Sequence, residues 1–311
     1  MQSPSPDSSG GRPSHPTRTS GLRSFSAGPG VLPSGPSSVQ TLPSEFAELL
    51  TPRGVRLLQT GRHPGVERVR ADPAWRFLPL TDVIDPRRAA SVLALLERAV
   101  GPHLKPMSQP IPAETILLQE QNYADLLPKA VRVSTAMLES RRSRSWKAAE
   151  EIGLPAMLQS PSYRAMAEVL AGRALRARWG IQALRYGPGD YTGPHNDAHP
   201  EDPDARDGYF DLHVSLADAG VKQQWIQYAR AGHFSELSPL TAPGVLAAYR
   251  LPFWHSVGPL VPRPRLLSRA RRWVLLGTFL YAPAKPARPS RRVEPHGPAP
   301  RPTSRGAGHG R

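Results

Sequence analysis

Between residues 181 and 281 the chain is cut into six short apolar runs, 181–186, 209–216, 223–228, 245–249, 254–257 and 272–281, set apart by Gly, Pro and Asp. Runs this short, rich in β-branched and aromatic side chains and closed by turn residues, read as strands. Several short strands at this spacing favour a β-sandwich or barrel such as a jelly roll over a parallel α/β sheet. No internal repeat accompanies them.

The preceding stretch, 44–177, reads as mainly helical, which makes the fold class α+β, with N-terminal helices packing on the barrel. Ser44 is placed to cap a short helix over 45–50. Asp85-Pro86 precedes Ala89, Val92, Leu93, Leu95 and Leu96, apolar at helical spacing up to Val100, and Gly101-Pro102 stops that run. Residues 122–140 and 162–179 are further helix candidates, the second with Met166, Val169, Leu170 and Leu175 on overlapping faces. Residues 1–43 are rich in Ser, Pro and Gly and offer too little apolar surface to offset ordering entropy, so a disordered tail is expected there. The same is expected of 284–311, where six Arg face the single Glu294.

The chain has no cysteine, which excludes disulfides, thiolate zinc sites, iron–sulfur clusters and cysteine nucleophiles; any metal must be held by His, Asp or Glu. No run approaches the ~18 apolar residues of a membrane span, and Met-Gln-Ser-Pro-Ser-Pro does not open like a signal peptide. A soluble, unexported, cytoplasmic protein is expected. The formal net charge of +15 suits a nucleic-acid partner, but only five of the 40 basic residues are Lys. An Arg, Ala, Pro and Gly bias explains that without selection for binding, so nucleic acid is the less favoured reading.

The chemistry concentrates in Arg185-Tyr-Gly-Pro-Gly-Asp-Tyr-Thr-Gly-Pro-His-Asn-Asp197, which puts His195 and Asp197 two apart at a strand end, where alternate side chains share a face. A second histidine, His255 in Pro252-Phe-Trp-His-Ser-Val-Gly-Pro259, completes two nitrogens and one oxygen on one face of an octahedral metal and leaves three positions open. Two of those suit the keto and carboxylate oxygens of 2-oxoglutarate, and the third suits O2. The far carboxylate of such a cosubstrate needs a cationic anchor, and Arg offers a bidentate fork. In Arg271-Arg272-Trp-Val-Leu-Leu-Gly-Thr-Phe-Leu-Tyr281 an Arg heads a strand otherwise too apolar to want a charge.

These residues resemble the 2-oxoglutarate/iron(II)-dependent dioxygenase superfamily, in particular its prolyl-hydroxylase-like branch. The resemblance rests on Tyr-Gly-x-Gly-Asp-Tyr at 186–191, His195-x-Asp197, Trp254-His-Ser-Val-Gly-Pro259 and Arg272-Trp273 before an apolar strand, and it covers 178–283. It implies a double-stranded β-helix, Fe(II) held by His195, Asp197 and His255, and 2-oxoglutarate held by Arg272. The implied reaction hydroxylates a C–H bond of a peptidyl residue, amino acid or small metabolite as 2-oxoglutarate becomes succinate. The stretch from His255 to this arginine is longer than is usual in the family and holds Arg263, Arg265, Arg269 and Arg271, so Arg271 stands as the alternative anchor. Tyr186 and Tyr191 are candidates to hydrogen-bond the cosubstrate, with packing as the other reading. His199 reads as a loop residue, and His213, alternating with Leu212 and Val214, faces either cavity or solvent. Gly187 and Gly189 read as turn residues, and Trp225 and Tyr228 as sheet packing. Two rivals remain: a nucleic-acid demethylase of the same superfamily, against which the last strand lacks Arg-x-Asn, and a catalytically silent binding module on the same barrel.

Overall fold

The structure is a computed structural model and describes residues 41–110, 130–138, 140–198, 203–230 and 232–283. The expected tails, apart from 41–43 at the edge of the first, lie outside the described residues, as do 122–129 of the expected 122–140 helix and His199.

The described residues include six α-helices: α1 Pro52–Thr60, α2 Pro64–Arg70, α3 Pro86–Ala99, α4 Arg144–Glu151, α5 Leu154–Leu158 and α6 Pro161–Ala171. All but α4 carry Pro in the first turn, where a missing N–H costs nothing. Side chains cap the starts: Asp85 accepts from the N–H groups of Arg87 and Arg88, Ser143 from Trp146 and Ser160 from Tyr163. Three expectations are corrected here. The segment after Ser44 is a short 3-10 helix, Phe46–Leu49, with no side-chain cap. The helix expected over 162–179 ends at Gly172, which adopts φ 71° and closes it with a left-handed residue. The 122–140 helix is overturned where it is described, because Ala130–Met137 is a strand. There Val131, Val133 and Thr135 alternate, and β-branched side chains with period two favour a pleated backbone.

The strands are β1 Phe77–Leu80, β2 Lys105–Pro110, β3 Ala130–Met137, β4 Gly180–Tyr186, β5 Tyr191–His195, β6 Tyr209–Ala217, β7 Val221–Gln223, β8 Trp225–Arg230, β9 His233–Pro239, β10 Val245–Leu251, β11 His255–Val257, β12 Val261–Pro262 and β13 Arg272–Leu280. Ten follow one another by antiparallel pairing in the order β1-β10-β6-β13-β4-β3-β5-β11-β8-β9, with β2 added to β3 and β7 and β12 paired separately. The half built on β10, β6, β13 and β4 faces the half built on β5 and β11 across a shared cavity, which makes the core a jelly roll of double-stranded β-helix type. β3 pairs with both β4 and β5 and so joins the halves. The stretch 44–177 therefore contributes three strands to the sheet besides its helices.

Alternation sorts the residues of the first half. Phe210, Leu212, Val214 and Leu216 of β6 and Trp273, Leu275 and Phe279 of β13 enter the apolar core shared with the helices. Glu97 of α3 ties the layers together, accepting from Trp273 Nε1 at 2.6 Å and pairing with Arg185 at 3.5 Å. The intervening positions point the other way, into the cavity.

Candidate metal centre

β5 and β11 are antiparallel neighbours with His195 directly opposite His255, so two histidines remote in sequence become a cross-strand pair with ring centroids 4.2 Å apart. Just past the end of β5, Asp197 adopts φ 53°, the one positive φ outside glycine among the described residues. Left-handed backbone is costly for L-residues and least so for Asn and Asp. That turn brings the carboxylate to both rings: Oδ1 lies 3.3 Å from His195 Nε2 and Oδ2 3.4 Å from His255 Nε2. One ligand atom from each of the three residues lies within 4.8 Å of the others, close enough to hold one metal ion.

The tautomers suit a metal. Nδ1 of His195 lies 2.8 Å from the carbonyl of Gly193, and Nδ1 of His255 2.9 Å from that of Phe253. A carbonyl only accepts, so each Nδ1 carries a proton and each Nε2 is the ring nitrogen turned toward the Asp197 carboxylate. Burial, reinforced by the neighbouring His195, pushes the imidazole of His255 down to about 4, so it is neutral at pH 7. Two imidazoles and a carboxylate without sulfur match the two-histidine, one-carboxylate set of non-haem iron(II).

Arg272 enters the same cavity from β13. It is 3% exposed, and its Nε donates to Gln224 Oε1 at 2.6 Å and its Nη1 to Ser215 Oγ at 2.9 Å. Its guanidinium lies 4.4 Å from the ring centre of Tyr186. The partners recorded for it among the described residues, Gln224, Ser215 and the Tyr186 ring, are all neutral, so a desolvated cation stands without a counter-charge, a strong incentive to bind an anion. Arg271, one place along the alternation, is only half-buried and lines a groove on the outer surface instead. The geometry thus separates the two arginines that the sequence left open.

The cavity has a volume of about 250 Å³ and is lined from both halves of the jelly roll. Tyr186 belongs to it: it is buried, its hydroxyl is 2.8 Å from Thr192 Oγ1, and burial raises its phenol above the ordinary range. Tyr191 does not line it. Alternation along β5 sets it opposite Thr192, where Arg132 lies 5.9 Å from its ring, and the expected contact with a cosubstrate is not supported. His213 faces the cavity, its ring 4.1 Å from that of Tyr249. Gly189 is a turn residue with φ 76°, and Asp190 Oδ2 accepts from the Gly187 N–H at 2.7 Å to close the β4–β5 turn. Tyr228 packs against Phe77 at 5.2 Å within the sheet. Sequence reasoning missed Gln224, Ser215 and Asp211. Ser215 and Asp211 had a signal, since with His213 they form a polar series at every second place of an otherwise apolar strand.

No protein-family model matches this chain, and no curated protein matches it. Solved structures do. The non-heme alpha ketoglutarate dependent carbocyclase SnoK from nogalamycin biosynthesis is 12% identical over 72% of this chain and 86% of its own, with a TM-score of 0.43. A Pseudomonas putida prolyl-4-hydroxylase is 16% identical over 70% of this chain and 98% of its own, at 0.40. A Trichoplax adhaerens prolyl hydroxylase, solved with a hypoxia inducible factor peptide fragment, is 12% identical over 74% and 91%, at 0.39. At these values the activity has to be read from this chain's own residues. The solved structures similar to this chain include 2-oxoglutarate/iron(II) oxygenases, prolyl hydroxylases among them, at low sequence identity throughout.

Proposed function

We propose that this chain is an Fe(II)- and 2-oxoglutarate-dependent dioxygenase that hydroxylates a C–H bond, with His195, Asp197 and His255 as metal ligands and Arg272 as the anchor of the cosubstrate. The observation that carries this is the coexistence, in one cavity, of a three-ligand set with preset tautomers and a buried arginine lacking a counter-charge. Iron(II) and 2-oxoglutarate supply the oxidation when bound: the keto acid becomes succinate and CO2, and one atom of O2 enters the substrate C–H bond as hydroxyl.

The residues of the chain do the positioning. The two Nε2 atoms and the Asp197 carboxylate would hold the metal, three protein ligands that would leave room for exogenous ones. Arg272 receives the distal carboxylate through the edge of its guanidinium not used by Gln224 and Ser215, and the Tyr186 hydroxyl, held by Thr192, is a second polar group at that end. Leu184, Val257, Val274 and Leu276 supply apolar wall and limit water beside the reacting atoms. The intact ligand set speaks against a silent binding module.

The test is anaerobic titration of metal-free protein with iron(II) and then 2-oxoglutarate, following the weak visible charge-transfer band of a chelated keto acid. Wild type should develop the band and His255→Ala should not. A well-folded wild type that develops no band refutes the proposal.

A further inference from the structure

The cavity has a second pole, at the end of β13 remote from Arg272. Along β6, Asp211 stands opposite Thr278 of β13, while Arg272 pairs with Ala217 at the other end of the same ladder. Arg272 and Thr278 are six places apart on β13, about 20 Å of strand. Both Asp211 and Thr278 line the cavity, together with His213 and Tyr249. Tyr249 joins this pole to the candidate metal site, its ring 4.1 Å from His213 and 5.7 Å from His255.

Asp211 is 8% exposed, and its Oδ1 is buried with no hydrogen-bond partner among the described residues. Its Oδ2 lies 3.5 Å from His213 Nε2, and the Thr278 hydroxyl on the facing strand also hydrogen-bonds the carboxyl group. Burial pushes its carboxyl above the ordinary range. Buried carboxylate oxygens are almost always satisfied, so Asp211, which lines the cavity and keeps one oxygen without a donor, has room for a donor that something entering the cavity can bring. Among the described residues, Arg272 is the only Lys or Arg in the lining, and it lies at the far pole. Asp211 is the carboxylate of the lining that is not a candidate metal ligand, so at this pole it is left to meet a positive charge.

We propose that Asp211, with His213 and Tyr249 beside it, forms a recognition subsite for an ammonium or guanidinium group of the substrate, so that the oxidised molecule is a small basic compound or a basic side chain of a peptide. This rests on the oxygenase reading for the identity of the occupant as substrate. The carboxylate supplies the charge complement, and the faces of the Tyr249 and His213 rings supply apolar wall for the carbon stem. A neutral isostere would leave the Asp211 oxygen unmet and should bind about tenfold or more weakly.

The experiment is calorimetric titration of the full chain, metal-free and loaded with manganese(II) and 2-oxoglutarate. The probes are lysine against norleucine and arginine against citrulline, each as free amino acid and as N-acetyl amide. At least one cation should bind tenfold or more tighter than its neutral partner, and Asp211→Asn should abolish that preference while 2-oxoglutarate affinity stays within twofold. Preference in the free form assigns a small molecule, and preference in the blocked form assigns a peptide side chain. Equal binding of cation and isostere, no binding of any cation, or a preference that survives Asp211→Asn overturns the proposal. If Asp211→Asn does not fold, the wild-type pairs decide alone. Failure of wild type to bind 2-oxoglutarate would instead overturn the oxygenase reading, which keeps the two failures apart.

Discussion

Gln224 accepts the Nε–H of Arg272 at 2.6 Å while its own amide donates to the carbonyls of Gly258 at 3.0 Å and Asp190 at 3.3 Å. A fully buried amide thus fixes the guanidinium to the β4–β5 turn and to the chain just past β11, two segments that flank the candidate metal ligands. Gln224 is a positioning residue. Gln224→Leu should weaken 2-oxoglutarate binding roughly tenfold and cost about 1–3 kcal/mol of stability by leaving buried partners unmet. Metal affinity measured without cosubstrate should change less than twofold. Equal losses of metal and cosubstrate affinity would mean that the substitution disturbs the whole cavity.

The backbone at Asp197 separates ligand from fold. Asp197→Ala and Asp197→Gly both remove the carboxylate, so neither should bind metal measurably in equilibrium dialysis. With φ at 53°, alanine is disfavoured there and glycine is not, so Asp197→Gly should be the more stable of the two by about 1 kcal/mol in urea unfolding. Equal stabilities would show that the loop relaxes out of the left-handed region once the carboxylate is gone.

Acid should destabilise the metal-free protein through His255. Its folded value near 4 lies below the ordinary histidine value, so between about pH 6.5 and 4 the unfolded chain binds the additional proton and stability falls as pH falls. Asp211 acts with the opposite sign. Its folded carboxyl is raised, so the folded state holds the additional proton above the ordinary carboxylate value and stability from this group falls as pH rises. Thermal melts from pH 7 to 4 should therefore show a falling Tm in wild type and a steeper fall in Asp211→Asn. A shallower fall in that variant would contradict the assignment of signs.

The sequence made the candidate metal ligands legible as a set because their spacing carries geometric meaning: His195 and Asp197 share a strand-end face, and His255 lies in a second short strand. The register that sets His255 opposite His195 was not legible, since pairing between remote strands is fixed by the packing of the whole sheet. β3 was missed for a related reason. Its run, Ala-Val-Arg-Val-Ser-Thr-Ala-Met, has residues compatible with either period, and pairing with both β4 and β5 decides in favour of strand. Arg272 could be picked out as a charge heading an apolar strand, whereas Gln224 could not, because nothing in Gln-Gln-Trp announces which glutamine is buried.

The outer face of β13 should tolerate less than the site it supports. At Gly277 an added Cβ would lie 2.8 Å from Tyr163 Cε1, 3.1 Å from Phe279 Cε2 and 3.2 Å from Trp179 Cδ1, where α6 and Trp179 close over the strand. Tyr163 cannot easily yield, being fully buried with its hydroxyl bonded to the carbonyl of Leu212 at 2.5 Å. Gly277→Ala should therefore cost about 1–3 kcal/mol through overpacking, read as a lower urea midpoint. Gly277 is five places from Arg272 on β13, roughly 17 Å of strand, and faces the helix side. The variant should consequently bind 2-oxoglutarate within twofold of wild type wherever it is folded. A large loss of cosubstrate affinity at full folding would show that the helical layer, and not β13 alone, sets the position of the anchor.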